Sequence, residues 1–399
     1  MTGRPAFTAV LAALAWSAVF ACGDAAAYAN PPKTTPCQLP GTSAYTGRPW
    51  AQQRLDFERV WPLTTGAGVT VAVVDTGVDI HQPLLGGHAV AGVDVVNGGT
   101  ATLDCVGHGT LLAGLIAAPQ APGGGFAGVA PGATILPVIQ TDTVASGTAA
   151  DLAKGINAAV DHGARVINVS ITTPRPTGDL AGAVRRALDR GVVVVAAAGN
   201  DFQQGNAPEY PAAYPGVISV GALSHSGQPT DFSSSGTPVS VIAPGDEIVG
   251  PGAGGDGFVG KQQGTSYATA FVSGVAALVQ AYRPGLTPAQ VAHRIEATAD
   301  HAATAVPDAR WGWGVVNPYA AVTAVLPEES GAGPAASPAS SVSPYDPPPA
   351  DHTTAAAALA LGGAGAVLAV LVPMTAVTVR RIRRPGTTVA AGTEVRSDD

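Results

Sequence analysis

An α/β fold built around a mostly parallel sheet is the architecture predicted by this sequence of 399 residues. Three observations predict it. Short β-branched runs alternate with helix-like stretches across the middle of the chain, the order expected of strand–helix–strand crossovers. The runs are apolar almost throughout, as strands covered on both faces are. Polar residues stand just beyond several run ends, where such sheets place their chemistry.

Residues 69–74 are the first strand, an apolar run closed by Asp75. A helix follows over 108–118, opened by His108. Strand 134–139 leads into a helix over 148–162, and strand 165–171 into a helix over 179–190. Strands over 192–198 and 217–223 come next. A long apolar helix over 265–282, entered through Gly264-Thr265-Ser266, and another over 288–299 close the domain, which we place at residues 63–325. There is no internal repeat.

The ends set the compartment. Arg4, an uncharged apolar stretch over 6–21 and small-residue cleavage options such as Ala27-Tyr28-Ala29 predict a signal peptide over 1–29. Residues 355–379 carry no charge; as a helix they span roughly 37 Å, enough for a hydrocarbon core of about 30 Å. Arg380, Arg381, Arg383 and Arg384 follow at once and predict a stop-transfer anchor over 354–379 with a cytoplasmic tail at 380–399. Between domain and anchor, residues 326–353 hold seven Pro with Ser, Ala and acidic residues, a linker composition that cannot bury a core. The expected place is the cell membrane, single-pass, with the domain outside.

Composition excludes several classes. Lys and Arg number 20 against 28 Asp and Glu, a net charge of −8, which lacks the basic footprint of a nucleic-acid binder. Three Cys without a C-x-x-C pair disfavour a disulfide-dense scaffold and a thiolate zinc site. The other His residues form no ligand spacing and no EF-hand loop occurs, so neither metal nor cofactor is expected.

The chemistry lies in Asp75-Thr76-Gly77, His108-Gly109-Thr110 with Ala113-Gly114, and Gly264-Thr265-Ser266 with Ala268. Each alone has a bland reading as a cap or a structural histidine. Together, in the order Asp, His, Ser, they have the chain order of the subtilisin triad. The sequence resembles the subtilase family of serine proteases over about residues 65–320. The resemblance implies a subtilisin-like three-layer fold and a catalytic triad of Asp75, His108 and Ser266. It implies that Asn200, in Ala198-Gly199-Asn200, donates its side-chain amide to an oxyanion. It also implies an extended protein or peptide substrate pairing with residues 168–171, with Ser170, Ile171, Thr172, Ala197, Ala198 and Gly199 lining the primary pocket. One position departs from the family pattern: Ala270 stands where a Pro usually follows the nucleophile by four residues.

An N-terminal arm over 30–62, Asp104-Cys105 just ahead of His108, the Pro-rich linker and the single anchor resemble the mycosins, membrane-anchored subtilases that accompany type VII secretion systems. That resemblance implies a secretion membrane complex as partner and its secreted proteins as substrates. With Cys22 removed in the signal, Cys37 and Cys105 remain outside the membrane and are expected to form a disulfide. The bridge would make the arm a permanent clasp on the domain. Two functional readings follow: a membrane-tethered serine endopeptidase, or a structural subunit of the secretion complex whose proteolysis is slow or dispensable.

Overall fold

The computed structural model describes residues 42–143, 148–302 and 305–330. The signal peptide, the first part of the arm with Cys37, most of the linker, the expected membrane helix and the tail lie outside these. Among the described residues no helix is long and apolar enough to cross a membrane.

The strands are β1 (Thr70–Asp75), β2 (Gly92–Asp94), β3 (Thr100–Ala101), β4 (Thr134–Ile139), β5 (Val166–Val169), β6 (Val193–Ala197), β7 (Ile218–Leu223), β8 (Val241–Pro244), β9 (Ile248–Pro251) and β10 (Phe258–Gln262). The helices are α1 (Trp50–Leu55), α2 (His108–Ala117), α3 (Ala149–Asp161), α4 (Gly178–Asp189), α5 (Thr265–Tyr282), α6 (Pro288–Ala297) and α7 (Pro318–Thr323). Eight strands form one sheet in the order β3-β2-β4-β1-β5-β6-β7-β8, parallel except for the short β2–β3 pair at its edge. β9 and β10 form a separate antiparallel ribbon.

β1 shows how the three layers arise. Successive side chains of a strand point to opposite faces. Val71 and Val73 join the core shared with α2 and α5, whereas Ala72 and Val74 join the core shared with α3 and α4. All four are fully buried. Each valine removed from water contributes about 1.5–3 kcal/mol, so both faces of a central strand must be apolar, and among its buried residues only the last, Asp75, is not.

β1 also lies at the switch point of the sheet. The chain leaves β1 toward β2, β3 and β4 on one side and then crosses to β5 on the other. Loops at the C-terminal ends of β1 and β5 therefore diverge and leave a crevice between them.

Helix starts differ according to what they face. α3 and α4 are capped by Thr148 and Thr177, whose hydroxyls accept from Asp151 and Leu180 N–H. α6 has a full capping box of Thr287 and Gln290. α2 and α5, which point their starts at the crevice, begin after Gly107 and Gly264 and have no side-chain cap at those residues.

The described part of the arm is packed into the domain. Ala51, Leu55, Phe57 and Val60 are buried in the α2–α5 core. The Trp50 indole donates to the Asp246 carbonyl and the Trp61 indole to the Val129 carbonyl, each at 3.0 Å. Ser43 and Phe258 exchange backbone hydrogen bonds of 2.9 and 2.8 Å. Gln52, only 2% exposed, accepts from Ala127 N–H and donates to the Gly125 carbonyl.

At the other end, Arg294 of α6 is fully buried. Its guanidinium donates to the Glu329 carboxylate at 2.7 Å and to the carbonyls of Ala321 and Ala324 at 3.0 and 2.9 Å.

The structure differs from expectation at several elements. β5 ends at Val169, two residues earlier than the predicted strand over 165–171, so Ser170 and Ile171 lie beyond it. Asn168 is turned into the core, where it donates to Ser170 Oγ and accepts from Ser273 Oγ, both at 2.9 Å. β2, β3 and β8–β10 were not expected; they are short and broken by Gly and Pro.

Candidate active site

Five segments converge on the crevice: the end of β1, the start of α2, the loops after β5 and β6, and the start of α5. The last four of these, with residues of β10, line a cleft of about 520 Å³ that includes His108, Ser170, Ile171, Thr172, Ala197, Gly199, Asn200 and Ser266; Asp75 is fully buried and does not line it. Ala198 is a correction to the expected lining. It is fully buried among core residues, because it falls between two residues that face the cleft and so points the other way.

Asp75 is fully buried at the tip of β1. Its Oδ1 accepts from Thr76 N–H at 2.8 Å and from His108 Nδ1 at 2.7 Å. A carboxylate can only accept, so Nδ1 carries the proton and Nε2 keeps its lone pair. The other oxygen, Oδ2, has no hydrogen-bond partner among the described residues. Burial opposes a charge on His108. The Asp75 carboxylate, through its charge and its hydrogen bond, outweighs that, with a further contribution from Asp104, and the imidazole pKa is held above its usual value. The His108 ring also meets the edge of Tyr267 at a centroid distance of 5.6 Å.

This approach of α2 to β1 depends on Gly109. A Cβ there would lie 2.0 Å from the Gly77 carbonyl oxygen, so a larger residue would push His108 away from Asp75.

Beneath this pair lies a residue that sequence reasoning did not single out. Asp104, 3% exposed, accepts through Oδ1 from Thr76 Oγ1, Val106 N–H and Gly107 N–H at 2.8–3.1 Å. Through Oδ2 it accepts from Thr110 N–H and Thr110 Oγ1 at 2.8 and 2.7 Å. Its position four residues before a helix-opening His was a visible signal, since an Asp there can reach the first turn of the helix.

Ser266 is the second residue of α5 and 7% exposed. Its hydroxyl donates to the Ser170 carbonyl at 3.0 Å, and Ser170 Oγ donates back to the Ser266 carbonyl at 3.1 Å. Asn200 Oδ1 accepts from Thr265 N–H at 2.9 Å and Thr265 Oγ1 at 3.0 Å. The backbone donor fixes which end of the amide is oxygen, so Nδ2 is the end left for another partner. That nitrogen lies 3.6 Å from where a Cβ on Gly264 would stand. Ala270 is buried within α5, one turn beyond Ser266.

The site thus brings together a hydroxyl, an imidazole whose free nitrogen is a base and an amide donor on the cleft, and a buried carboxylate that stabilises the imidazole's cation. A profile described as the Subtilase family matches residues 66–314.

The chain belongs to the subtilase family.

Individual relatives agree. The chain is similar to Mycosin-1 of Mycobacterium tuberculosis, at 37% identity over 358 residues that cover 76% of this chain and 78% of that protein. It is similar to Thermitase of Thermoactinomyces vulgaris, at 37% identity over 284 residues that cover 71% and 99%. Among solved structures it resembles the crystal structure of MycP1 from the ESX-1 type VII secretion system, with a TM-score of 0.65 and 34% identity, covering 76% of this chain and 92% of that one. This subtilase is a serine peptidase of mycosin type with a subtilisin-like α/β fold.

The subtilase's cleft also holds two acids that the sequence did not reveal. Asp201 follows Asn200 directly, and Glu209 reaches the cleft from a loop between β6 and β7. Nothing in the Pro208-Glu209-Tyr210 sequence marks Glu209 as a cleft residue.

Proposed function

We propose that this subtilase is a membrane-anchored serine endopeptidase of a type VII secretion system, cutting extended protein substrates through an acyl-enzyme. The observation that carries the reading is the His108–Asp75 pair, joined at 2.7 Å, in the same cleft as Ser266. Ser266 Oγ attacks the substrate carbonyl carbon while its proton passes to His108 Nε2. This requires the hydroxyl to leave the Ser170 carbonyl on which it now rests. Asp75 holds the tautomer and stabilises the imidazolium. The carbonyl oxygen becomes an oxyanion, taken by Asn200 Nδ2 and the Ser266 N–H in the first turn of α5. His108 then returns the proton to the leaving amine as the C–N bond breaks. Water, deprotonated by the same imidazole, cleaves the ester, releases the carboxylate product and restores the serine.

The cellular part of the proposal rests on sequence features and on likeness to mycosins. The signal peptide and the apolar span before the Arg cluster support an external domain tethered by one helix. A Cys37–Cys105 disulfide would fasten the arm beside the His108 loop, and it is supported by Cys105 being disulfide-bonded.

Labelling of the solubilised protein with a fluorophosphonate tests the catalytic reading. Wild type is expected to label at Ser266, and Ser266→Ala is not. An unlabelled wild type would favour the structural-subunit role instead. Comparing the secreted proteome with and without Ser266→Ala would identify the substrates.

A further inference from the structure

The loops after β5 and β6 form two facing walls, Ser170 to Thr172 on one side and Ala197 to Gly199 on the other. They follow neighbouring parallel strands, which sets their spacing. Glu209 lies between them. Its carboxylate hydrogen-bonds to the Thr172 side chain. Its Cγ would lie 2.6 Å from a Cβ at residue 199, so only glycine there leaves it room.

The residue is held by its backbone as well. Thr173 and Tyr210 form an antiparallel bridge with hydrogen bonds of 3.0 and 2.8 Å, and Glu209 N–H donates to Thr237 Oγ1 at 2.8 Å. Glu209 is only 5% exposed, yet it lines the cleft. Burial pushes its carboxyl pKa up, the Thr172 hydrogen bond draws it back and the Asp201 charge pushes it further; no Lys, Arg or His contributes. Among the described residues no Lys or Arg lines the cleft, and Asp201 adds a second negative charge there. A buried carboxylate without a cation is costly, and a cation entering from outside removes that cost.

The walls adjoin the reacting atoms. Ser170 holds the Ser266 hydroxyl, and Asn200 follows Gly199 directly. The leaving amine must face His108, which protonates it. The residue on the acyl side of the scissile bond therefore places its side chain between the two walls. We infer that Glu209 makes this subtilase selective for a lysine or arginine side chain on the acyl side of the bond it cuts. The inference rests on the peptidase reading given above.

The test uses peptides identical except for the residue before the scissile bond, which is lysine, norleucine or glutamate. Norleucine keeps the four-carbon stem of lysine and removes only the ammonium. With wild type, kcat/KM for lysine is expected to exceed that for norleucine by about 10- to 100-fold, the range of a charge-assisted hydrogen bond, with glutamate poorest. Glu209→Gln is expected to reduce the lysine-to-norleucine ratio at least about tenfold. Norleucine cleaved as well as lysine, or a ratio unmoved by Glu209→Gln, would overturn the inference while leaving the peptidase reading intact.

Binding of the same peptides to Ser266→Ala, followed by calorimetry, separates pocket from chemistry. Preferential binding of the lysine peptide supports the inference even if wild type cleaves none of the series, in which case the peptidase reading fails alone. Equal binding of lysine and norleucine peptides would overturn it.

Discussion

The end of β1 and the loop entering α2 each bury one carboxylate near His108, and they use it in opposite ways. Asp75 spends one oxygen on Thr76 N–H and His108 Nδ1 and leaves the other without a partner among the described residues. Asp104 has both oxygens engaged, by three backbone N–H groups and two hydroxyls. Hydrogen bonds spread and screen a charge. Asp104 is therefore chiefly an anchor that shapes the loop, whereas Asp75 keeps its field for the imidazole. Thr76 joins the two, since its N–H donates to Asp75 and its hydroxyl lies 3.0 Å from Asp104 Oδ1 and 3.3 Å from Asp75 Oδ1. Burial alone does not distinguish a reactive carboxylate from a structural one. The number of donors it has already accepted does.

Substitutions can break this comparison. The largest effect is expected at Asp75. Asp75→Asn should lower kcat by about 10⁴-fold with little loss of stability, because the amide can present its NH₂ to Nδ1 and fix the wrong tautomer. Steady-state hydrolysis beside a thermal melt checks it; a kcat within tenfold of wild type would erase the difference between the two acids. His108→Ala or Ser266→Ala should fall at least as far and set the floor of the scale.

Asn200→Ala comes next. It removes a donor and no charge, and should cost about 10² to 10³ in kcat with KM nearly unchanged. A large rise in KM instead would assign Asn200 to substrate binding rather than to the oxyanion.

Asp104→Asn should invert the Asp75 pattern. Its amide group would face donors, at about 1–3 kcal/mol for each one left unpaired. Each kcal/mol lowers Tm by about 2–4 °C in a domain of this size. A melt unchanged from wild type would show that the loop does not need its anchor.

The smallest effect is on pH dependence. Hydrolysis needs neutral His108, whose pKa is raised, so kcat/KM should decline as pH falls through a value above the usual imidazole range. Removing the Asp104 charge weakens the imidazolium and should move that acid limb to lower pH. A limb that stays in place in Asp104→Asn would confine the electrostatic role to Asp75.

The parts of the molecule legible in the sequence were those with local signals. The helix expected over 265–282 has those bounds, as does the strand over 134–139, because a long apolar helix and a buried β-branched strand need no distant partner to be recognised. Asp75, His108, Asn200 and Ser266 stood out as polar residues at element edges. What escaped was set by contacts between distant segments. The role of Asp104 depends on Thr76, 28 residues earlier, and the place of Glu209 depends on a bridge between Thr173 and Tyr210. Ala198 was misassigned because the direction of a side chain in extended backbone depends on a phase that a run of alanines does not reveal. The short strands β8–β10 fall among Gly and Pro residues that read as loop until their partners, β7 for β8 and each other for β9 and β10, are known.

Arg294 has a mechanical consequence. Glu329 falls in the stretch expected to be linker, yet it packs as part of the domain, which reaches Ser330 rather than residue 325: a fully buried guanidinium grips its carboxylate while the same group holds two carbonyls of the preceding segment. A pull on the chain beyond Ser330 would load this clamp before it could peel α7. Several hydrogen bonds of one rigid, planar group would have to fail together rather than one after another. The domain's last turn is thus built like a strain relief on a cable: tension applied downstream falls first on the Arg294 side chain of α6.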